Sequence, residues 1–298
     1  QQVEDGVFVD LPWEYHTDYR LRNVIYPMFH SLPLWMLKTM GVDYNVAVRV
    51  CPYVVHALLV ILSDSYFWKV GKATVGKQAT QLALVFYLTN RVQNAFLIRC
   101  FTNSIEQILT VIGFHYYLKL DATLTRNTLI FTALVSLQFM MRNTSPIGWV
   151  PLLFIKVFRD GAFLPFLISA VLVAAPIVLF STFLDSYYYS GGLEGLEWTI
   201  TGLNFIRVNV VEGLSKYFGD HPVWFYLLGY GPAMFTVVYP FVLWGMYFFA
   251  KEQLQMRRSP EMVYTTVFYF IVFSLIPHKE KRFLLPIFPF CVLALGYL

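Results

Sequence analysis

Charge is what this chain has least of. Only 13% of its 298 residues are Asp, Glu, Lys or Arg, against about 25% in an average soluble domain. With 57% hydrophobic and 18% aromatic residues beside so little charge, a water-soluble globule is excluded, because its core could not hide that much apolar surface. Cysteine is nearly as scarce. Cys51, Cys100 and Cys291 lie in apolar or membrane-edge stretches without metal-ligand spacing, so neither a disulfide framework nor a zinc site is expected and the three read as packing residues. No secretory leader is visible, since the chain opens on the polar run Gln1 to Asp10 and stops at Leu298 inside an apolar segment. It is read as the core of a longer protein. Low-complexity segments and strict internal repeats are absent as well.

What is present comes in long apolar blocks, which suits lipid-facing helices. Such segments are expected at 46–68, 79–98, 101–118, 127–142, 146–157, 163–184, 223–250, 262–277 and 283–298. The reading is therefore an all-α, polytopic transmembrane bundle with about nine crossings. Several segments fall short of the roughly 20 residues that a perpendicular helix needs, so tilted or half-length helices are anticipated. Tyr26 to Met40, with Pro27, His30 and Pro33 in its apolar pattern, reads as an interfacial helix. Ser145 before Pro146 reads as an N-cap followed by a first-turn proline.

Basic residues suggest the orientation. Alternate loops carry Lys69, Lys72 and Lys77, then Lys119 and Arg126, then Lys156 and Arg159, then Lys251, Arg257 and Arg258, and are taken as cytosolic. The opposite side then receives 1–45 as a loop plus interfacial helix, the turns near Arg99 and Arg142, a long loop over 185–222, and 277–282. A single domain results, with helical bundles at 46–184 and 223–298.

Polar residues concentrate on that second side. Pro277-His-Lys-Glu-Lys-Arg-Phe283 puts five charged or titratable residues between two apolar helices. If helical, His278, Lys281 and Arg282 share a face, with Glu280 orienting a neighbour, and with Lys279 they suit a phosphate at headgroup depth. A plain juxtamembrane anchor is the alternative. Arg99, Asn103 and Glu106 fall at i, i+4 and i+7, a polar stripe that faces a cavity or forms an Arg–Glu pair locking two helices. Arg142 at another membrane edge has the same two readings. Near the N-terminus, Glu4, Asp5, Asp10, Glu14 and Asp18 accompany Trp13, Tyr15, Arg20 and Arg22. Acids beside aromatics suit sugar hydroxyls and a developing positive sugar ring, while a solvated acidic loop is the plainer reading. The long loop adds Asp185, Asp220 and His221, while an aromatic belt at the membrane face explains much of its ring-rich remainder, Trp224 included.

His278-Lys-Glu-Lys-Arg-Phe283, followed by Pro286 and Pro289, resembles the hallmark His-Lys-Glu-x-Arg-Phe of glycosyltransferase family 22. The resemblance implies a GT-C fold and an endoplasmic reticulum mannosyltransferase that takes mannose from dolichol-phosphate mannose. Four further stretches resemble the branch that adds the third mannose of the glycosylphosphatidylinositol (GPI) anchor. They are Leu11-Pro-Trp-Glu-Tyr15 with Arg22 and Tyr26-Pro27; Phe101-Thr-Asn-Ser-Ile-Glu106 leading to Leu109-Thr110; Trp149-Val-Pro-Leu-Leu153; and Leu203-Asn-Phe-Ile-Arg-Val-Asn209 through Tyr217-Phe-Gly-Asp-His-Pro222 to Tyr226. The family's N-glycan enzymes share a Trp-Glu-Tyr segment and a stretch like Asp185 to Tyr188, so that branch stays open.

The family's His-Pro-Asp-Glu motif would precede a Gln and a Glu resembling Gln2 and Glu4, which puts the principal general base upstream of Gln1 and leaves Glu4 and Asp5 to assist. A β-linked donor and an α-1,2 product imply a single inverting displacement, with no metal or cofactor. His278, Lys279, Lys281 and Arg282 would stabilise the leaving dolichyl phosphate, Arg22, Arg99 and Arg142 would hold donor or acceptor phosphates, and Trp13, Glu14, Asn103, Glu106, Asp185, Asp220, His221 and Trp224 would meet sugar. The expected partners are the lipid-linked donor, a GPI-precursor glycolipid and membrane lipid, with no nucleic acid. The active site would face the lumen. A transporter or flippase would instead gather its polar groups near the bilayer midplane, and a non-catalytic pathway subunit is the third class.

Overall fold

The structure, a computed structural model, describes residues 2–4, 7–9, 12–214, 217 and 219–298. After a short antiparallel hairpin of β1 (Gln2–Glu4) and β2 (Val7–Val9), everything regular is helical. The helices are α1 (Ile25–Thr39), α2 (Tyr44–Thr74), α3 (Lys77–Thr89), α4 (Arg91–Leu97), α5 (Thr102–Tyr117), α6 (Arg126–Met141) and α7 (Pro146–Phe154). They continue with α8 (Phe163–Ser190), α9 (Thr201–Ile206), α10 (Phe225–Gln255), α11 (Glu261–Leu275) and α12 (Phe288–Tyr297).

Among the described residues, three helices are long and apolar enough to cross a membrane, α2, α8 and α10. The bent pair α4 and α5 makes a fourth if counted as one span. Nine full crossings are thus not what the helices present. Local chemistry accounts for the shortfall. Asn90 turns the chain between α3 and α4 with an extended backbone, its side chain accepting from the Gln93 amide, and so divides segment 79–98. At 98–101 the chain bends by 105° between α4 and α5, where Ser104 Oγ donates to the Phe96 carbonyl and Tyr26 OH to that of Phe101. Prolines interrupt others: Pro277 follows α11, and Pro286 lies in a 3-10 turn, Lys281–Ile287, that separates the charged stretch from α12.

Caps mark the intact ends. Asp43 accepts from the amides of Asn45 and Val46 at the start of α2, and Thr125 with Thr128 forms a capping box on α6. Gly191, at φ 72°, closes α8 in the left-handed region. Pro146 does open α7, but Ser145 is itself helical and makes no capping bond. The loop expected from residue 185 begins later, because α8 runs on to Ser190, and α9 with its π turn Arg207–Val211 takes up part of the remainder.

The core lies at the C-terminal end of the chain. Phe288 to Gly296 are all buried, and α12 packs between α3 and α10. Small residues make that approach possible: a Cβ on Gly245 would collide with the Ala294 carbonyl, and one on Gly296 with the backbone of Ala79. An apolar helix that sequence alone casts as lipid-facing is therefore packed inside the bundle. It fixes the 3-10 turn before it, which packs against α5 and α11.

Candidate active site

The charged stretch 277–282 is a loop. Ile276 leaves α11 in an extended conformation, and Glu280 is extended too (φ −118°, ψ 150°). Side chains of an extended run alternate between faces. His278 and Glu280 accordingly share a side, and Arg282 joins them from the 3-10 turn that follows: His278 Nε2 lies 3.2 Å from Glu280 Oε1, and Arg282 grips the same carboxylate with Nη2 at 3.0 Å and Nε at 2.6 Å. The two-point fork is the strong form of this contact. Burial pushes the Glu280 carboxyl up, but the hydrogen bonds and charge of Arg282, supported by His278, outweigh it and hold the group below the ordinary carboxylate value.

Lys279 points the other way. It is 4% exposed and donates to the carbonyls of His221 (2.9 Å) and Ile276 (2.6 Å). Burial lowers its ammonium pKa, and Asp220 opposes the shift. The His221 amide donates back to the Pro277 carbonyl, and a Cβ on Gly219 (φ 132°) would lie 3.8 Å from His221 Nε2 and 3.9 Å from His278 Nδ1. Lys279 thus staples 219–221 to the charged loop. Tyr226 OH donates to the Glu280 carbonyl and Tyr269 OH to that of Phe283, so hydroxyls from α10 and α11 hold both ends. Asp220, Trp224 and Lys281 are exposed, and His221 stacks on Phe225.

A second ion pair comes from the N-terminal segment, where Arg22 Nη2 donates to Glu14 Oε1 at 2.6 Å. Desolvation lowers the Arg22 pKa, yet the bond to Glu14 and its charge more than reverse that, with Glu280 adding to the field. Arg22 and the charged loop therefore share one electrostatic neighbourhood. Trp13 meets Tyr19 edge-on. The segment is tied down by Asp185, which is 1% exposed and accepts from Asn23 Nδ2 (2.8 Å), the Val24 amide (2.9 Å) and Thr201 Oγ1 (3.0 Å). Tyr189 OH adds a bond to the Arg22 carbonyl. Expected as a loop residue facing sugar, Asp185 is instead a buried helical anchor on α8.

A third pair is fully enclosed. Arg142 Nε lies 2.5 Å from Glu106 Oε2, and both residues are buried. The Tyr269 hydroxyl oxygen also lies 3.3 Å from Glu106 Oε1. The Arg142 guanidinium lies over the Phe283 ring at 5.2 Å and that of Arg282 over Phe101 at 4.9 Å, joining the buried pair to the motif loop. The expected stripe of Arg99, Asn103 and Glu106 on one helix does not form, because the bend at 98–101 leaves Arg99 exposed outside α5 while Asn103 and Glu106 are buried. The Arg–Glu lock between helices exists, with Arg142 as its cation.

Of the N-terminal acids, Glu4 belongs to β1 opposite Val7, and Asp5 and Asp10 lie outside the described residues. The structure thus brings together Arg22, Glu14, His278, Glu280 and Arg282, with Glu106 and Arg142 behind them. Sequence reasoning missed Asn23, Thr201 and Tyr269, and it quoted Phe101, Tyr226 and Phe283 only as parts of motifs, without a role. Nothing local distinguishes the first three from the chain's other polar and aromatic residues, since each finds its partner on a distant element.

The comparisons with known proteins agree with one another. A family model described as the Alg9-like mannosyltransferase family matches residues 6–298. GPI alpha-1,2-mannosyltransferase 3 of Bos taurus is 28% identical over 96% of this chain and 50% of its own length. The Homo sapiens protein of that name is 27% identical over 96% and 49%, and GPI mannosyltransferase 3 of Yarrowia lipolytica 28% over 94% and 52%. The chain spans about half the length of these curated relatives. Among solved structures, ArnT from Cupriavidus metallidurans, bound to undecaprenyl phosphate, superposes with a TM-score of 0.65 over 93% of this chain and 50% of its own, at 11% identity. That likeness shows a shared GT-C fold. The chain belongs to the Alg9-like mannosyltransferase family.

Proposed function

We propose that this membrane-embedded family member forms the core of an enzyme that moves mannose from dolichol-phosphate mannose to a GPI-anchor precursor, adding the third mannose in α-1,2 linkage. The observation that carries the reading is the fork of Arg282 and His278 on Glu280, beside Glu14 and Arg22. Arg282 is engaged through Nε and Nη2 and one-third exposed, so its guanidinium can turn from Glu280 to a second anion. A lipid phosphate entering there exchanges an internal acceptor for a stronger one. As the glycosyl bond breaks, negative charge grows on the departing phosphate, and cations already held in place stabilise it without reorganising. The undecaprenyl phosphate in ArnT belongs to the chemical class of that leaving group.

In this reading the displacement is inverting, and Glu4 and Asp5 assist in removing the acceptor proton. Arg22 and Glu14 line the sugar side, with Trp13 and Trp224 as stacking surfaces. Lys279, Asp185, Glu106 and Arg142 act by holding the loop and the N-terminal segment in register. The site faces the lumen of the endoplasmic reticulum. The test is Arg282→Glu in the full-length protein, expressed in cells that lack third-mannose transfer. Surface GPI-anchored proteins should stay absent and a two-mannose glycolipid should accumulate. Normal rescue by that variant would overturn the assignment.

A further inference from the structure

Away from the charged loop, α1, α2 and the bend between α4 and α5 bring together His30, His56 and Cys100, whose ligating atoms lie within 4.8 Å of one another. The three are far apart along the chain, so no spacing motif announces them. Three features set this group apart from ordinary core histidines. Neither ring nitrogen of His30 has a hydrogen-bond partner although both atoms are buried, a costly arrangement for an imidazole. His56, fully buried, stacks on His30 with the rings 10° from parallel and 5.2 Å apart. Its Nδ1 faces the Leu97 carbonyl at 3.4 Å while Nε2 meets Tyr26 OH at 2.9 Å. An outer carbonyl on one nitrogen is how a metal-ligating histidine is oriented, with the other nitrogen presented inward.

We propose that His30, His56 and Cys100 bind a thiophilic transition-metal ion of the zinc type. Two imidazoles and a thiolate suit that class, and hard oxygen-seeking cations are disfavoured. Cys100 is exposed, which provides a route of entry, and its thiol loses a proton on binding. The Tyr26 hydroxyl lies 2.9 Å from His56 Nε2, and it or water can complete a tetrahedron. Bond lengths of about 2.0–2.3 Å put tetrahedral ligands roughly 3.5 Å apart, so the three groups must draw closer together on loading. The consequence reaches the candidate active site. Cys100 adjoins Phe101, whose carbonyl accepts from Tyr26 and whose ring lies against Arg282, and an ion there pins the bend that supports them.

The experiment uses the purified full-length protein and zinc as the probe. Alkylation of Cys100 by N-ethylmaleimide, followed by peptide mapping, should slow at least about tenfold in micromolar zinc and recover with chelator, because the bound thiolate is no longer a free nucleophile. Cys291, buried in α12, serves as the internal reference. His30→Gln should remove the zinc protection while Cys100 stays reactive, and elemental analysis should find zinc in the wild type at about ten times or more the content of Cys100→Ser. An unchanged Cys100 rate with zinc in the wild type overturns the proposal whether or not either variant folds. The measurement does not depend on mannose transfer, so it stands or falls apart from that reading.

Discussion

Two ion pairs a few side chains apart carry opposite lessons. Glu280–Arg282 lies on a loop with both side chains about one-third exposed, whereas Glu106–Arg142 sits between α5 and the end of α6 with almost no exposure. A half-solvated pair contributes little to stability and can exchange partners, because water screens both states. An enclosed pair has already borne its desolvation cost, and removing one member strands the other. In the proposed function the first is the pair that meets a ligand. The second holds the ground on which it does so, since Tyr269 and Phe283 link the two.

The largest break in that contrast should come from Arg142→Met. It leaves Glu106 buried without a cation and should cost about 3–5 kcal/mol in detergent unfolding. Adding Glu106→Leu should recover most of the loss. A double variant as unstable as the single one would mean the pair is not an isolated lock. Asp185→Ala comes next: stripping three donors of their acceptor should cost about 2–3 kcal/mol, visible as a lower melting temperature and faster proteolysis between residues 12 and 24.

Arg282→Lys probes the exposed pair. It keeps charge and loses the fork, so under the proposed function mannose transfer by the full-length protein should fall at least about tenfold while stability moves by less than about 1 kcal/mol. A matching fall in stability would erase the distinction between the two pairs. The smallest effect is with pH. Glu280 has a folded pKa below its ordinary value near 4.5, so its contribution is complete above that value and is lost as pH falls through the lower folded one. The gap in unfolding temperature between wild type and Glu280→Gln should be constant above about pH 5 and should vanish in stronger acid. A gap that widened on acidification would contradict the pairing.

Much of the polar chemistry is legible in outline from the chain alone. The density of charge between Pro277 and Phe283 marks the loop without any structure, and Glu14 and Arg22 stand out near the N-terminus. Their partners are not legible. An i, i+3, i+4 reading of His278, Lys281 and Arg282 assumes one helix through 278–282, but the chain is extended at Ile276 and again at Glu280 and enters its 3-10 turn only at Lys281, so Glu280 becomes the partner that His278 and Arg282 share. The same assumption puts Arg99 on a stripe with Glu106, and the bend at 98–101 gives that role to Arg142. His30, His56 and Cys100 are invisible for a related reason, being neighbours only across three elements.

Sequence by itself determined that this is a helical membrane protein of one mannosyltransferase family with its charge gathered near residue 280, since composition and a contiguous motif are properties of the chain alone. Only the tertiary structure decided which apolar helices run long enough to be candidate spans and which, like α12, pack inside the bundle. It also decided which charges pair in the open and which behind them. The physical reason is that hydropathy cannot tell lipid from protein as the solvent of an apolar helix, and burial compels a charge to find whatever partner the fold brings near, however distant along the chain.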